Sequence, residues 1–214
     1  MSNDNDPQAT GGQSPSDAIA LEDQWRADLY NFIGRLLAKP PAPELLVNLR
    51  SVQADDTDVG RAVAAIKQLA ERMEISEVDA EYHRLFIGVG RGELLPYASY
   101  YLTGFLNEKP LATLRQDMSA LRISRSPTTF EPEDNVASLC EMMAGLITGR
   151  FGAPAPLRAQ KEFFGKHLAP WAGHFFKDLE AAENAVFFAP VGTLGKVLID
   201  IDSEAFRMLG EDAA

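Results

Sequence analysis

The sequence predicts an all-α fold, an irregular single-domain bundle of about nine or ten helices. Three observations lead there. Apolar residues recur at spacings of three and four from Trp25 to Leu179. Proline and glycine mostly punctuate these stripes rather than interrupt them. Only one short region could pass for strands, and an isolated hairpin is marginal in water.

The elements follow in chain order. Met1 to Ser16 is polar, with Asp4, Asp6, Gly11 and Gly12, and is expected to be a disordered tail. Residues 17–214 form the expected helical domain. Ser14-Pro15 offers a cap and a first-turn proline. Trp25, Leu29, Phe32, Ile33, Leu36 and Leu37 then keep helical spacing until Pro40-Pro41. A short helix is expected at Glu44–Arg50. Val59, Ala62, Val63, Ile66, Leu69 and Met73 mark the next. Ser76-Glu77-Val78-Asp79 reads as a capping-box variant. It opens a helix whose apolar face is Val78, Tyr82, Leu85 and Phe86.

Gly88-Val89-Gly90-Arg91-Gly92 is a bend that stops this helix. Tyr97–Leu106 reads as a short aromatic helix. Pro110 suits a first turn, ahead of the stripe Leu111, Leu114, Met118 and Leu121. Arg122–Phe130 is expected to be a loop. Pro132 is expected to open a helix, with Glu131, Glu133 and Asp134 beside its positive end. Val136, Leu139, Cys140, Met143 and Ile147 form its apolar face, and Gly149 and Gly152 close it. Phe163, Phe164, Trp171, Phe175, Phe176 and Leu179 carry the pattern onward. In Val186–Ile201, Pro190, Gly192 and Gly195 weaken a helix. Val186-Phe187-Phe188 and Val197-Leu198-Ile199 fit strands, but the segment is read as a kinked helix.

Composition excludes several classes. The net charge of −11 opposes nucleic-acid binding and an anionic membrane surface. It suits a basic partner, or simply solubility. No apolar run reaches the roughly 18 residues that span a bilayer, and the N-terminus lacks signal-peptide character. A cytoplasmic location is expected. The only cysteine, Cys140, cannot form an intrachain disulfide.

Most site chemistry fails on residue type. A zinc site needs clustered cysteines and histidines. This chain has one cysteine and three histidines, His83, His167 and His174, and Pro170 separates the last two. Cys140 lies on an apolar stripe, so it is expected in the core rather than as a nucleophile. The Gly88–Gly92 bend superficially resembles a phosphate loop, which makes a helical nucleotide-binding protein or enzyme the alternative reading. It follows a helix rather than a strand, however, and lacks the Lys-Ser/Thr of a Walker loop. No catalytic, metal or cofactor site is assigned.

Two segments suit a peptide better. Tyr97, Tyr100 and Tyr101 could be core, or could supply the contact area that ligand grooves favour. Glu131, Glu133 and Asp134 could serve their helix terminus, or could meet an arginine pair through charge-assisted bonds.

At these residues the chain resembles the TorD/DmsD family of cytoplasmic redox-enzyme maturation chaperones. Tyr82-x-x-Leu85-Phe86 is similar to the family's aromatic-x-x-Leu-Phe element. Leu95-Pro96-Tyr97-Ala98-Ser99 is similar to its Pro-aromatic-x-Ser segment, and Glu131-Pro132-x-Asp134-Asn135 to its Glu-Pro-x-Asp-His element. Order and intervals agree, and the resemblance spans roughly Leu21 to Ala205. It implies an all-helical, non-catalytic chaperone without a cofactor of its own. Its partners would be the twin-arginine signal peptide and apo form of a molybdopterin-dependent oxidoreductase, held for cofactor insertion before export. Carried over by position, the peptide-binding residues are Tyr82, Leu85, Phe86, Pro96, Tyr97, Ser99, Glu131, Asp134 and Asn135. Asn135 stands where the family commonly has histidine, and it cannot carry a proton near neutral pH. The client is left open, as is the choice between a monomer and a helix-exchanged dimer.

Overall fold

The computed structural model describes residues 19–125 and 131–211. Ten α-helices and one π-helical turn are present among these residues, with no strand. They are α1 (Leu21–Leu37), α2 (Pro43–Leu49), α3 (Asp58–Arg72) and α4 (Ile75–Tyr82), continued by the π turn His83–Ile87. Then come α5 (Ala98–Thr103), α6 (Lys109–Ala120), α7 (Val136–Thr148), α8 (Leu157–His167), α9 (Ala172–Ala181) and α10 (Ala189–Glu211). The expected tail, the Ser14-Pro15 cap and residues 126–130 of the expected loop lie outside the described residues.

The all-α expectation holds. One contiguous core runs from Ala27 to Phe206 and includes the whole Phe163–Leu179 stripe. Helix α7 is its spine, packed against α1, while α10 packs against α9 and α3. Cys140 is 1% exposed on α7, and burial raises its thiol pKa far above the ordinary range. Among the described residues no helix is long and apolar enough to cross a membrane.

Four local expectations are corrected. The capping box of α4 sits earlier, at Glu74 and Glu77, where the Glu77 carboxylate accepts the Glu74 N–H at 2.8 Å. The helix there does not stay α-helical to Phe86; it widens into the π turn. Pro132 does not open α7. Asn135 caps it instead, its Oδ1 accepting the Ala137 N–H at 2.9 Å. The three acids therefore precede the helix rather than occupy its first turn.

The last correction concerns 186–201. Residues 186–188 precede a helix that runs without interruption from Ala189 to Glu211. Pro190 falls in its first turn, where a missing N–H costs nothing. Gly192 and Gly195 are packing residues. A Cβ on Gly192 would lie 2.7 Å from the Phe176 carbonyl oxygen, and one on Gly195 only 2.2 Å from Phe176 Cδ1. Close approach of α9 and α10 requires both, and the buried interface offsets their poor helix propensity.

Helices α6 and α8 are joined by a buried pair. His167 Nε2 donates to Asp117 Oδ2 at 2.9 Å, since a carboxylate only accepts, and Lys166 reaches the same carboxylate at 3.2 Å. Burial lowers the His167 pKa, against the raising pull of Asp117. Burial raises Asp117, but hydrogen bonds from His167 and Lys166 outweigh it and the net shift is downward. An unfolded histidine titrates near about 6.5. The His167 contribution is therefore complete above that pH and is lost as pH falls through the lowered folded value. The Asp117 contribution disappears further toward acid. In urea unfolding followed against pH, His167→Gln should flatten the upper part of the acid limb and shrink, without abolishing, the lower part, where Lys166 still holds Asp117. An unchanged profile would contradict this assignment.

Candidate functional site

Two of the three motif segments meet at a short backbone clasp. Tyr97 and Asn135 form an isolated antiparallel bridge. The Ala98 N–H donates to the Asp134 carbonyl at 3.0 Å, and the Val136 N–H to the Pro96 carbonyl at 2.8 Å. The Asp134 carboxylate accepts the Ser99 N–H at 2.8 Å, which caps α5. A proline before the clasp suits an extended strand-like entry, and α5 begins directly after it.

The π turn supplies the next wall. Phe86 packs on Tyr82 with ring centroids 4.9 Å apart, and the Tyr82 hydroxyl donates to the Leu37 carbonyl at 3.0 Å. Burial, then the Glu131 charge, pushes the Tyr82 phenol up to about 12. The Tyr97 hydroxyl donates to the Glu131 carboxylate, and burial and that carboxylate raise its pKa strongly. Tyr82, Tyr97 and Glu131 are thus electrostatic neighbours, and Phe86 adjoins them.

Residue by residue, the nine positions divide. Leu85 is fully buried, and Pro96 and Ser99 are also inside. Asp134 is 1% exposed and Asn135 8%. Phe86 and Tyr97 are half-buried, and Glu131 is exposed. Tyr82 lies mostly inside at 6%. Surface contact is therefore available chiefly to Phe86, Tyr97 and Glu131, while the others hold them in place.

The acidic rim is smaller than its sequence suggests. Glu133 is taken by Arg115, at 2.8 Å and 3.0 Å, with Arg125 at 3.7 Å. Burial raises its pKa, but the Arg115 hydrogen bond and both guanidinium charges outweigh this and hold it below the usual range. Asp134 faces inward. Its Oδ1 and the Ser99 Oγ are the buried side-chain polar atoms without a partner among the described residues.

Two depressions flank the clasp. A cleft of about 700 Å³ is lined by Glu131, Glu133 and Asn135 together with Ile123, Met142 and Phe151. A smaller one of about 460 Å³ is bordered by Asp134, Leu102, Thr103, Pro110 and His167. A cleft of the larger size is in the range that holds a ligand segment.

Two carboxylates outside the predicted set brace the site. Glu81 is 1% exposed and accepts the N–H groups of Val186, Phe187 and Phe188 at 2.8, 3.0 and 2.8 Å. Glu93 accepts the N–H of Glu183 at 2.7 Å and two donors of Asn184. Together they tie α4 and the glycine bend to the loop before α10. Glu81 was visible as an acid three residues after Val78 on the apolar face. Glu93 had no such signal.

The bend itself closes back on the π turn. The Leu94 N–H donates to the Leu85 carbonyl at 2.8 Å, and Gly88 adopts φ 61°. A Cβ on Gly92 would meet Phe86 backbone at 2.5 Å. Irregular residues follow, not a helix N-terminus, so the loop lacks the geometry of a phosphate seat. Among the described residues no cluster of three potential ligands is placed to hold a metal.

Several known proteins resemble this chain. The family model described as nitrate reductase delta subunit matches residues 52–177. The chaperone protein TorD of Vibrio cholerae is 28% identical over 177 residues, covering 73% of this chain and 80% of that one. TorD of Vibrio atlanticus is 25% identical over 209 residues, covering 88% and 97%. A solved structure assigned as a redox enzyme maturation protein of Archaeoglobus fulgidus covers 82% of this chain and 93% of that chain, at TM-score 0.48 and 19% identity. The chain belongs to the nitrate reductase delta subunit family, and the TorD relatives it resembles are chaperones by name.

Proposed function

We propose that this chaperone acts in the cytoplasm on a molybdopterin-dependent oxidoreductase. It binds the apoenzyme's twin-arginine signal peptide and holds the client for cofactor insertion before export. The observation that carries this reading is the bond of half-buried Tyr97 to exposed Glu131 at the 700 Å³ cleft, with half-buried Phe86 stacked on Tyr82 nearby. An apolar wall next to one available carboxylate matches a peptide with a basic head and an apolar body.

The roles follow from position. Glu131 takes an arginine through a charge-assisted bond, and the Tyr97 hydroxyl orients it. Phe86 and Tyr97 cover the apolar stretch. Tyr82, Leu85, Pro96 and Asn135 fix these groups from beneath. Asp134 seats α5 through Ser99 beneath the second depression. Burying two or three side chains contributes a few kcal/mol, and ordering the peptide offsets much of it. The peptide alone should bind with micromolar affinity.

Glu131→Gln is the clean test, because it removes a charge without breaking a buried bond. Signal peptides of formate dehydrogenase, trimethylamine-oxide reductase and dimethyl-sulfoxide reductase types are titrated into the full chain by calorimetry. The best binder should lose about tenfold in affinity with Glu131→Gln at low salt, a gap that narrows as salt rises. Equal affinities at low salt would remove Glu131 from the mechanism. Failure of every peptide to bind the unaltered chain would overturn the signal-peptide reading.

A further inference from the structure

A second surface lies on α1, away from the motif residues. Trp25, Leu29 and Phe32 stand at i, i+4 and i+7 and share one face of this helix. Ala27 and Gly34 on the opposite face, and Tyr30, Ile33 and Leu37 on the flank between, are buried in the core. Leu49, Val59 and Val63 form the facing wall of a groove of about 540 Å³. Trp25 is 60% exposed, whereas the other tryptophan, Trp171, is 1% exposed. Leu29, Phe32, Val59 and Val63 on the walls are half-buried above a buried Leu49, so the groove is formed but open.

Charge marks its rim. Asp28 and Asp55 border the groove. Asp28 accepts the Gln24 amide at 3.0 Å, and Asp55 accepts the Thr57 N–H and hydroxyl at 3.1 and 2.5 Å. These donors are neutral and leave both carboxylates charged, although the Arg61 charge also acts on Asp55. Lys67 on α3 is tied to the Val52 carbonyl at 3.1 Å.

We propose that this groove docks a basic amphipathic helix of a partner protein. Helices α1 and α3 both pack on α10, so an incoming helix between them completes that layer. Its apolar anchors meet Trp25, Leu29 and Val63, and its lysine or arginine residues meet Asp28 and Asp55. An exposed tryptophan over an apolar groove is the type of residue that dominates binding energy. A second copy of this chain fits worse. It would bring another −11 charge, and a like rim, against Asp28 and Asp55. The inference does not rest on the signal-peptide reading, since no motif residue lines this groove.

The test titrates the full chain with a short helical peptide of leucine and lysine in amphipathic order, and with its leucine–glutamate counterpart. Trp25 emission should shift to the blue and lose acrylamide quenching with the first peptide and not with the second. Trp171, buried already, supplies a constant background. Asp28→Lys should weaken binding about tenfold. Val63→Glu should abolish it even though it adds negative charge. Trp25→Ala, at an exposed position that leaves the fold intact, should weaken it at least as much as Asp28→Lys by calorimetry. Equal or tighter binding to Val63→Glu together with unchanged affinity in Trp25→Ala would mean diffuse charge attraction and would overturn the proposal. Sedimentation showing a dimer of the free chain that Val63→Glu dissociates would also overturn it, in favour of a second copy.

Discussion

Glu81→Ala should cost about 3–5 kcal/mol of stability, the largest loss expected from a single truncation in this chain. Three backbone N–H groups at the entry to α10 converge on one buried carboxylate. Truncation leaves all three without an acceptor; Val186 is 55% exposed and can turn to water, but Phe187 and Phe188 are fully buried, and each buried group carries a penalty of about 1–3 kcal/mol. Part is recovered by relaxation of the loop, so the sum of three is an upper bound. Glu81→Gln keeps one acceptor oxygen and turns an NH₂ toward the donors, so it should fall between the two. Urea unfolding reads the difference in midpoint at constant slope. A loss under about 1 kcal/mol for the alanine variant would show that the loop holds without this carboxylate.

Gly192→Ala should cost about 3 kcal/mol, unusual for the addition of one methyl group to a helix. In an isolated helix this change is favourable by about 1 kcal/mol. Here the new Cβ would sit 2.6 Å from the Glu180 nitrogen and 2.7 Å from the Phe176 oxygen. Both are backbone atoms of α9, so no side-chain rotation relieves the contact. The two helices must separate, and Phe175, Phe176 and Leu198 lose packing with them. Thermal unfolding by circular dichroism measures the loss. Gly173→Ala is the control, since its Cβ would approach only Ile199 Cγ2, at 3.9 Å, and it should be neutral or stabilising. A stable Gly192→Ala would refute the close-packing explanation for glycine in α10.

These two residues also mark how far the sequence could be read. Spacing alone located α3 and α6, because their apolar stripes agree with local propensity, and marked the stretch that α8 and α9 share without dividing it. It read most of α10 as a helix but took Gly192 and Gly195 for weak points, where local propensity and tertiary packing disagree and packing prevails. Pro132 was an equally reasonable helix start on local grounds. The Tyr97–Asn135 bridge holds 134–136 extended, however, and hands the capping role to Asn135. A bridge across 38 positions leaves no periodic trace in either segment.

The same limit applies to the candidate site. The motifs identified residues that the fold does bring together, but not which of them face outward. Glu133 and Asp134 look like free acids in the sequence. Arg115 neutralises the first and the α5 N-terminus absorbs the second. Those partners lie on other helices, beyond any local pattern. Glu81 shows the converse: a charged residue on an apolar face signals a buried bond, although its donors cannot be named until α10 is placed.

A photo-crosslinking map tests the central claim most directly. A benzophenone residue beside the arginine pair of the signal peptide is irradiated in complex with the full chain, and the crosslinked tryptic fragment is identified by mass spectrometry. Trypsin releases residues 126–150, which contain Glu131, as one fragment. Crosslinks concentrated in that fragment, and displaced by excess unlabelled peptide, are the expected result. Crosslinks confined to α1 through α3 or to α8 through α10 would place the arginine pair elsewhere and contradict the proposed site.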